Sequence, residues 1–548
     1  MAAPGRATDH SLDRRMRILV AEPLADEGID VLQARHDVDV RTGLSPDELR
    51  TAIADYDALL VRSQVRVDAP LIEAGSRLVV IGRAGVGVDN VDLEAATRAG
   101  VTVVNAPTGN TIAAAEHTLA LLLGLARRVA AADASVRRGE WQRAPFEGVE
   151  VRGKTLGLIG LGKIGLALAD RARGLEMTVV GHDPYVTAEQ ASLHGVELVD
   201  LDALLARSDV VSVHVPLTDA TKDLIGRATI AKMKPGAFVL NVARGGIVDE
   251  AALADALLSG QVGGAAIDVF ETEPPKDSPL LSAPNTILTP HLGASTAEAQ
   301  VAVAVEVASG VLDVLDGRPA RSAVNAPIVS AEAAGAIAPF LPLAETLGRF
   351  FAQFARTAMT TLTFEVAGTP ADNDPAPLTA AMLRGLLQAT TEERVNLVNA
   401  GLLAKARGIT VVERRKHEAG AYAALVTVSG DVGGQRVTVG GTVNAGEERI
   451  VRLNDYRLDM EPSAVMLITR HNDRPGMIGR VGRILGDADV NISAMHVARS
   501  GPRQDALMIL ALDEDVPEAA LESIRTQEAL ADLWLIQLGG DGVRADDH

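Results

Sequence analysis

Cysteine is absent from all 548 residues, which removes disulfides, thiolate metal sites and thiol nucleophiles together. A chain without cysteine suits a reducing compartment, and a cytoplasmic location is the expectation. Aromatic side chains make up only 3%, so the cores have to be built from Ala, Val, Leu and Ile. No uncharged apolar run reaches the roughly 20 residues that a membrane-spanning helix needs. The apolar stretch 118–125 is too short and reads as a buried core helix. Positive charge is in deficit, with 52 Lys and Arg against 72 Asp and Glu and a formal charge of −20. That balance argues against a surface that grips nucleic acid. A local arginine cluster can still oppose the global field and hold a phosphorylated small molecule. The opening MAAPGRATDHSLDRR is polar, lacks the apolar stretch of a secretory signal and reads as a disordered leader.

What the chain does have is alternation. At this length three or four domains are expected. Short apolar runs at 17–21, 38–40, 58–61, 78–81 and 101–104 are separated by amphipathic stretches, and Ser45 is placed as the N-cap of a helix over 46–54. Buried strands alternating with helices predict a parallel sheet covered on both faces. After a long helix near 111–128 the pattern restarts, with strands at 154–160, 177–181, 210–214, 237–241, 264–268 and 286–289. A helix over 296–314 leads back out. The expectation is α/β, with two doubly wound parallel-sheet domains, the first (16–110 and 296–325) interrupted by the second (111–295). Residues 326–461 read as an α+β domain, with helices at 342–357 and 377–399, strands at 361–366 and 422–428, and turns at Gly433 with Gly434 and at Gly440 with Gly441. It carries no catalytic motif. The last block, 462–540, runs strand, helix, strand, strand, helix, strand, a ferredoxin-like βαββαβ order.

The second block opens with a fingerprint, LGLIGLGKIG, in which Gly160, Gly162 and Gly165 have G-x-G-x-x-G spacing. The first glycine permits the strand-to-helix turn, the second lets backbone approach a pyrophosphate, and the third lets helix and strand pack closely. Asp183 ends the next strand, where a carboxylate accepts hydrogen bonds from ribose hydroxyls and repels a 2′-phosphate, favouring NAD over NADP. Glycine triplets also cap ordinary turns; the flanking strand, helix and spaced acid favour the dinucleotide. Three further residues sit just past strand ends, where open α/β sheets place ligands: Arg244 in NVARGG, Glu273 in DVFETEPP and His291 in TPHLGAS. A 2-hydroxy acid needs a cation for its carboxylate, which an arginine supplies with two parallel hydrogen bonds. Its hydroxyl needs a base, for which histidine titrates in the useful range, and a nearby carboxylate orients the ring. Taken singly, each of the three is an ordinary surface residue; in this order behind the fingerprint they suggest one catalytic set. His36, His182 and His417 lack such a context and read as surface or packing residues.

These motifs, at 160–165, 241–245, 268–274 and 290–293, make the chain resemble the D-isomer-specific 2-hydroxyacid dehydrogenases over roughly 17–324. The resemblance implies a flavodoxin-like substrate domain interrupted by a Rossmann NAD domain. It implies Arg244 as the substrate arginine, Glu273 as the supporting acid and His291 as the general acid/base. Asp268 would contact the nicotinamide carboxamide, Lys163 and Ile164 would lie on the pyrophosphate loop, and Val242, Ala243 and Gly293 would border the cofactor. Arg62 and Arg143 would face the substrate, Arg143 in its own or a neighbouring subunit. No metal is needed, because Arg and His supply the charge stabilisation. RAGVGVDNVDL and NAPTGNTIAAAEHT are similar to the branch of the family that acts on 3-phosphoglycerate. HNDRPGMIGRVGRILGDADVNI is similar to an ACT domain, and 326–461 fits the extra domain of long bacterial members. The implied activity is oxidation of 3-phosphoglycerate to 3-phosphohydroxypyruvate at the start of serine synthesis. The implied effector is L-serine, at Asp473 and Asn491, and the implied assembly is a homotetramer or dimer. Two alternatives share the core: a hydroxypyruvate or glyoxylate reductase, and an NAD-sensing, corepressor-like binding protein.

Overall fold

The computed structural model describes residues 15–539 apart from 319, 321, 328–330, 358, 392, 502 and 528–529. Residues 1–14 of the expected leader lie outside the described residues, as does residue 540. Among the described residues no helix is long and apolar enough to cross a membrane.

The first sheet consists of β1 (Arg17–Val20), β2 (Asp37–Val40), β3 (Ala58–Val61), β4 (Val80–Arg83) and β5 (Thr102–Val104). Its order is β2-β1-β3-β4-β5 and every pairing is parallel. β1, β3, β4 and β5 read as largely apolar runs because both faces are buried, whereas the edge strand β2 is mostly exposed. Leu19, Leu59, Ile81 and Val103 point to one core. Ile18, Leu60, Val80 and Val104 point to the other, against Val303, Val307 and Val311 of the helix Ala297–Leu315. That helix starts on a Thr296 cap and returns the chain to this sheet from the second one. Ser45 forms a full capping box with Glu48 at the head of Pro46–Ala52.

The second sheet holds β6 (Thr155–Ile159), β7 (Thr178–His182), β8 (Glu197–Leu198), β9 (Val210–Val213), β10 (Ala237–Asn241), β11 (Val262–Ile267) and β12 (Thr286–Leu288). Its parallel order is β12-β11-β10-β9-β6-β7-β8. The order reverses between β6 and β9, and the crevice outside the strand ends at such a point is where ligands bind. The helix expected near 111–128 is Thr111–Ala126; a further helix, Val129–Arg137, follows it after Arg128, whose φ of 53° is left-handed.

The third sheet is mixed: β13 (Thr361–Gly368), β14 (Thr410–Lys416), β15 (Ala424–Val432), β16 (Gln435–Asn444), β17 (Glu447–Leu453) and β18 (Tyr456–Met460), in the order β14-β13-β15-β16-β17-β18. Helices Phe340–Ala355 and Ala376–Gln388 cross over it. A Cβ on Gly348 or on Gly385 would collide with the backbone of the opposite helix, so these two glycines set how closely the pair approaches. Two expectations are corrected here. The helix placed at 377–399 ends at Gln388 and a separate one follows at Ala400–Ala406. Gly440 and Gly441 are no turn; they sit at a bulge inside β16, where a Cβ on Gly441 would stand 2.7 Å from Leu343. The helix needs that space. From the intervening stretch, Arg394 donates to the Leu78 carbonyl (3.3 Å) and Asn396 to the Gly100 carbonyl (2.6 Å), just before β4 and β5.

The fourth sheet is β19 (Val465–Asn472), β20 (Ile492–Arg499), β21 (Asp505–Leu512) and β22 (Leu530–Gln537), in the order β20-β21-β19-β22. Val465, Leu467, Met508 and Leu510 pack under helices Met477–Asp487 and Glu518–Arg525. The alternate residues Met466, Ile468, Leu507 and Ile509 join the core of the third sheet instead.

Candidate active site

Gly160 leaves β6 at φ 97°, and a Cβ there would stand 2.5 Å from the His214 carbonyl oxygen. Gly165 lies directly under the Gly160 carbonyl, where a Cβ would collide. Nothing lies within 4 Å of a Cβ built on Gly162, the N-cap of helix Lys163–Gly174. Bare backbone at a helix N-terminus is the approach a pyrophosphate requires. Lys163 is exposed and Ile164 half-buried in the first turn. The Asp183 carboxylate accepts from the Leu161 and Tyr185 amides, each at 2.9 Å, and so stands against the glycine turn. These residues fit a dinucleotide. Beneath the turn, burial pushes the His214 imidazole down to about 4. It is held 2.8 Å from the Ser212 hydroxyl and stays neutral near pH 7.

Arg244 follows β10 on a turn that Asn241 braces from both sides, accepting from the Ala243 amide (3.0 Å) and donating to the Arg244 carbonyl (2.9 Å). Val242 is buried and Ala243 half-buried. A Cβ on Gly245 would collide with the Phe270 carbonyl, so the turn rests on the segment that leads to Glu273. Asp268, next after β11, is 0% exposed. Its carboxylate accepts from His117 (3.2 Å), Thr289 (2.6 Å) and the Leu292 amide (2.8 Å), and through its second oxygen from the Gly293 amide (2.9 Å). Desolvation pushes this carboxyl up, but the hydrogen bonds outweigh it and hold the pKa below the ordinary range. Asp268 therefore anchors the loop that carries His291.

His291 sits at the tip of that loop with φ 56° and places Nδ1 2.9 Å from Glu273 Oε2. Glu273 also accepts from the Phe270 amide at 3.1 Å. Burial raises the Glu273 carboxyl, but its hydrogen bond and charge contact with His291 prevail and keep it below the ordinary range. An ionised acceptor at Nδ1 requires the proton there, which leaves Nε2 free to take one up.

On the first sheet, Arg83 at the end of β4 feels the charges of Arg62, just past β3, and of Arg244. Burial first, then the Arg244 charge, lower Arg83 to about 10, against the opposing pull of Asp89 and Glu22. The glycines of RAGVGVDN follow from this: a Cβ on Gly85 would collide with the Arg83 guanidinium, and one on Gly87 with that of Arg244. The Arg62 turn is held by Glu22, 5% exposed, which accepts from the amides of Arg62, Gln64 and Val65 (2.6, 3.0 and 3.1 Å). Asn90 completes the clasp by donating to the Arg62 and Val65 carbonyls (2.8 and 2.7 Å).

The structure thus brings together Arg62, Arg244, Glu273, His291, Asp268 and Gly293. Arg143 is not among them: it is exposed beside Ala144–Phe146 and makes no hydrogen bond or ion pair to these residues among those described. Asp473 and Asn491 are not together either. Asp473 follows β19 and bonds to Arg499 and the Arg503 amide, whereas Asn491 precedes β20 and bonds to Asp513 and Glu514. One strand of 8 residues separates them, roughly 25 Å. Sequence reasoning passed over Glu22, Arg83, Asp89, Asn90, His117, His214 and Asn241. Glu22 and Arg83 obey the same strand-end rule that selected the others.

Comparison with known proteins follows the same division. The model of the D-isomer specific 2-hydroxyacid dehydrogenase NAD binding domain matches residues 119–293. That of the D-3-phosphoglycerate dehydrogenase intervening domain matches 336–454, and that of the ACT domain 465–529. The crystal structure of a glyoxylate reductase from Paecilomyes thermophila is 30% identical, with a TM-score of 0.52 over 57% of this chain and 98% of its own. Fold and cleft define an NAD-linked dehydrogenase of the D-2-hydroxyacid class. A D-3-phosphoglycerate dehydrogenase of Synechocystis sp. is 45% identical over 525 residues, 95% of each protein. Another, from Archaeoglobus fulgidus, is 43% identical over 527 residues, 95% of this chain and 100% of its own. The chain belongs to the D-3-phosphoglycerate dehydrogenase family.

Proposed function

We infer that the chain oxidises D-3-phosphoglycerate to 3-phosphohydroxypyruvate, the step that opens serine synthesis, with His291 as the acid/base. The observation that carries this reading is the His291–Glu273 dyad on the segment against which the Arg244 turn packs, with Arg244 and Arg62 acting on Arg83, on a chain of charge −20. Arg244 pairs with the substrate carboxylate and polarises the C2 oxygen. Arg62 and Arg83 face the phosphate, joined by Arg143 from its own or a neighbouring subunit. When bound, NAD supplies the hydride acceptor. His291 Nε2 takes the hydroxyl proton as C2 becomes a carbonyl, and the ionised Glu273 stabilises the imidazolium. Closure of the two α/β domains over the substrate excludes water and aligns the reacting groups.

Asp183 carries the cofactor preference in this reading. Asp183→Ala is expected to weaken NAD and narrow the gap to NADP, read as kcat/KM for both cofactors. An unchanged preference rejects the ribose assignment.

L-serine is the proposed effector of the ACT domain. Because Asp473 and Asn491 lie at opposite ends of one sheet, a ligand touching both has to sit between two copies. A homo-oligomer, tetramer or dimer, is further supported by apolar side chains left open on one segment: Val129 and Val136, each 55% exposed, and Trp141, 79% exposed. The domain division at 110/111, 295/296, 325/326 and 461/462 and the cytoplasmic location belong to the same reading.

The deciding experiment is NADH-linked turnover of 3-phosphohydroxypyruvate, hydroxypyruvate and glyoxylate, with and without L-serine. Preference for the phosphorylated acid is expected to be on the order of a hundredfold in kcat/KM, since desolvated guanidinium groups left unpaired are costly. Serine is expected to reduce the rate. Equal activity on the unphosphorylated acids favours a reductase, and NAD binding without turnover of any of them favours a sensor.

A further inference from the structure

One charged group in the cleft has no part in that mechanism. Asp89, in the loop after β4, places Oδ2 3.1 Å from Arg244 Nε. Its side chain is 72% exposed and that of Arg244 27%. Ion pairs this open to solvent contribute little to stability, so the contact calls for another explanation. Arg244 also donates from NH1 to the Ala243 carbonyl at 2.7 Å. Two of its three nitrogens are therefore held, one from each domain, and the third lies over Gly87. A guanidinium offers two parallel hydrogen bonds to a carboxylate only when its plane is set. The Ala243 contact comes from the preceding residue, within the same turn. The Asp89 contact crosses from the first sheet to the second and exists only when the domains are together.

We propose that Asp89 is a positioning residue that sets the plane of the Arg244 guanidinium across the cleft, tying capture of the substrate carboxylate to domain closure. The inference rests on Arg244 being the partner of that carboxylate. The sign of one kinetic effect separates it from simple electrostatics. Removing a negative charge beside an anionic substrate should tighten binding by Coulomb attraction alone. Removing a positioning group should weaken it.

The test uses the full chain with NAD and 3-phosphoglycerate. Asp89→Asn is expected to raise the substrate KM about tenfold, with the NAD KM and the thermal midpoint unchanged, and Asp89→Glu to recover part of the loss. A substrate KM that falls or stays level in Asp89→Asn overturns the proposal. Arg244→Lys, measured alongside, checks the premise. If it leaves the substrate KM unaltered, Arg244 does not hold the carboxylate, and the assignment of the site fails before the role of Asp89 does.

Discussion

His291→Asn is expected to lower kcat about a thousandfold, on the order of 4 kcal/mol of barrier, while NAD affinity stays within about twofold. Asparagine is the informative replacement. It tolerates the left-handed backbone that His291 adopts at φ 56°, and its amide can still donate to Glu273. The loop then keeps its shape and only proton transfer is lost. Glu273→Gln should cost less, roughly ten- to a hundredfold, because the histidine remains but loses its ionised neighbour. Steady-state NADH formation together with NAD titration separates chemistry from binding. A His291→Asn protein turning over near the wild-type rate would falsify the assignment of the base.

The second large effect is expected at Asp268. Four donors converge on its buried carboxylate, from His117, Thr289, Leu292 and Gly293. Asp268→Asn replaces one acceptor oxygen with a donor, setting N–H against N–H in a fully buried site. The expected cost is about 3 kcal/mol of stability, with at least a tenfold loss of kcat as the His291 loop loosens. The pH dependence has a definite sign. Asp268 and Glu273 are both held below the ordinary carboxylate range. Their stabilisation is complete above that range and drains away as pH falls through their lowered folded values. Wild-type protein should therefore lose stability on acidification below about pH 4, and Asp268→Asn should show a shallower loss over the same window. Equal stability of mutant and wild type at neutral pH would remove Asp268 as the anchor.

Much of this was legible from residue order. Strands β1, β3 and β4, with Leu19, Leu59 and Ile81 at their centres, declared themselves because two-sided burial leaves those centres apolar. Ser45 marked a helix start because its side chain accepts from the backbone amide three residues on. Arg244, Glu273 and His291 stood out because each follows a strand end. What stayed hidden depends on chain segments far apart in sequence. Glu22 matters through amides 40 or more positions away, and Asp89 through a residue 155 positions away. Neither distance leaves a local pattern. Gly440 and Gly441 were misjudged as a turn because glycine also makes room for a crossing helix, here through Leu343. That Asp473 and Asn491 lie at opposite ends of one sheet also stayed hidden, because spacing along a chain says nothing about which end of a sheet each residue reaches. Helix Val129–Arg137 escaped notice because only Ser135 in it is buried, so it carries no apolar stripe.

The double burial of the fourth sheet limits how portable its domain is. A ferredoxin-like unit usually needs only its own two helices to be complete, and can be grafted onto other enzymes as a cassette. Here Met466, Ile468, Leu507, Ile509 and Ile536 form a second apolar face that is covered by the Phe340–Ala355 helix and the third sheet. Trp534 stacks against Phe354 with ring centroids 4.6 Å apart, and Gln353 pairs with both backbone groups of Gln537 at 2.8 Å, sealing the β22 edge. Excised at residue 462, the cassette would carry a sticky apolar face and a bare strand edge into solvent, both of them routes to aggregation. The smallest transplantable unit in this part of the chain is therefore the pair of sheets together.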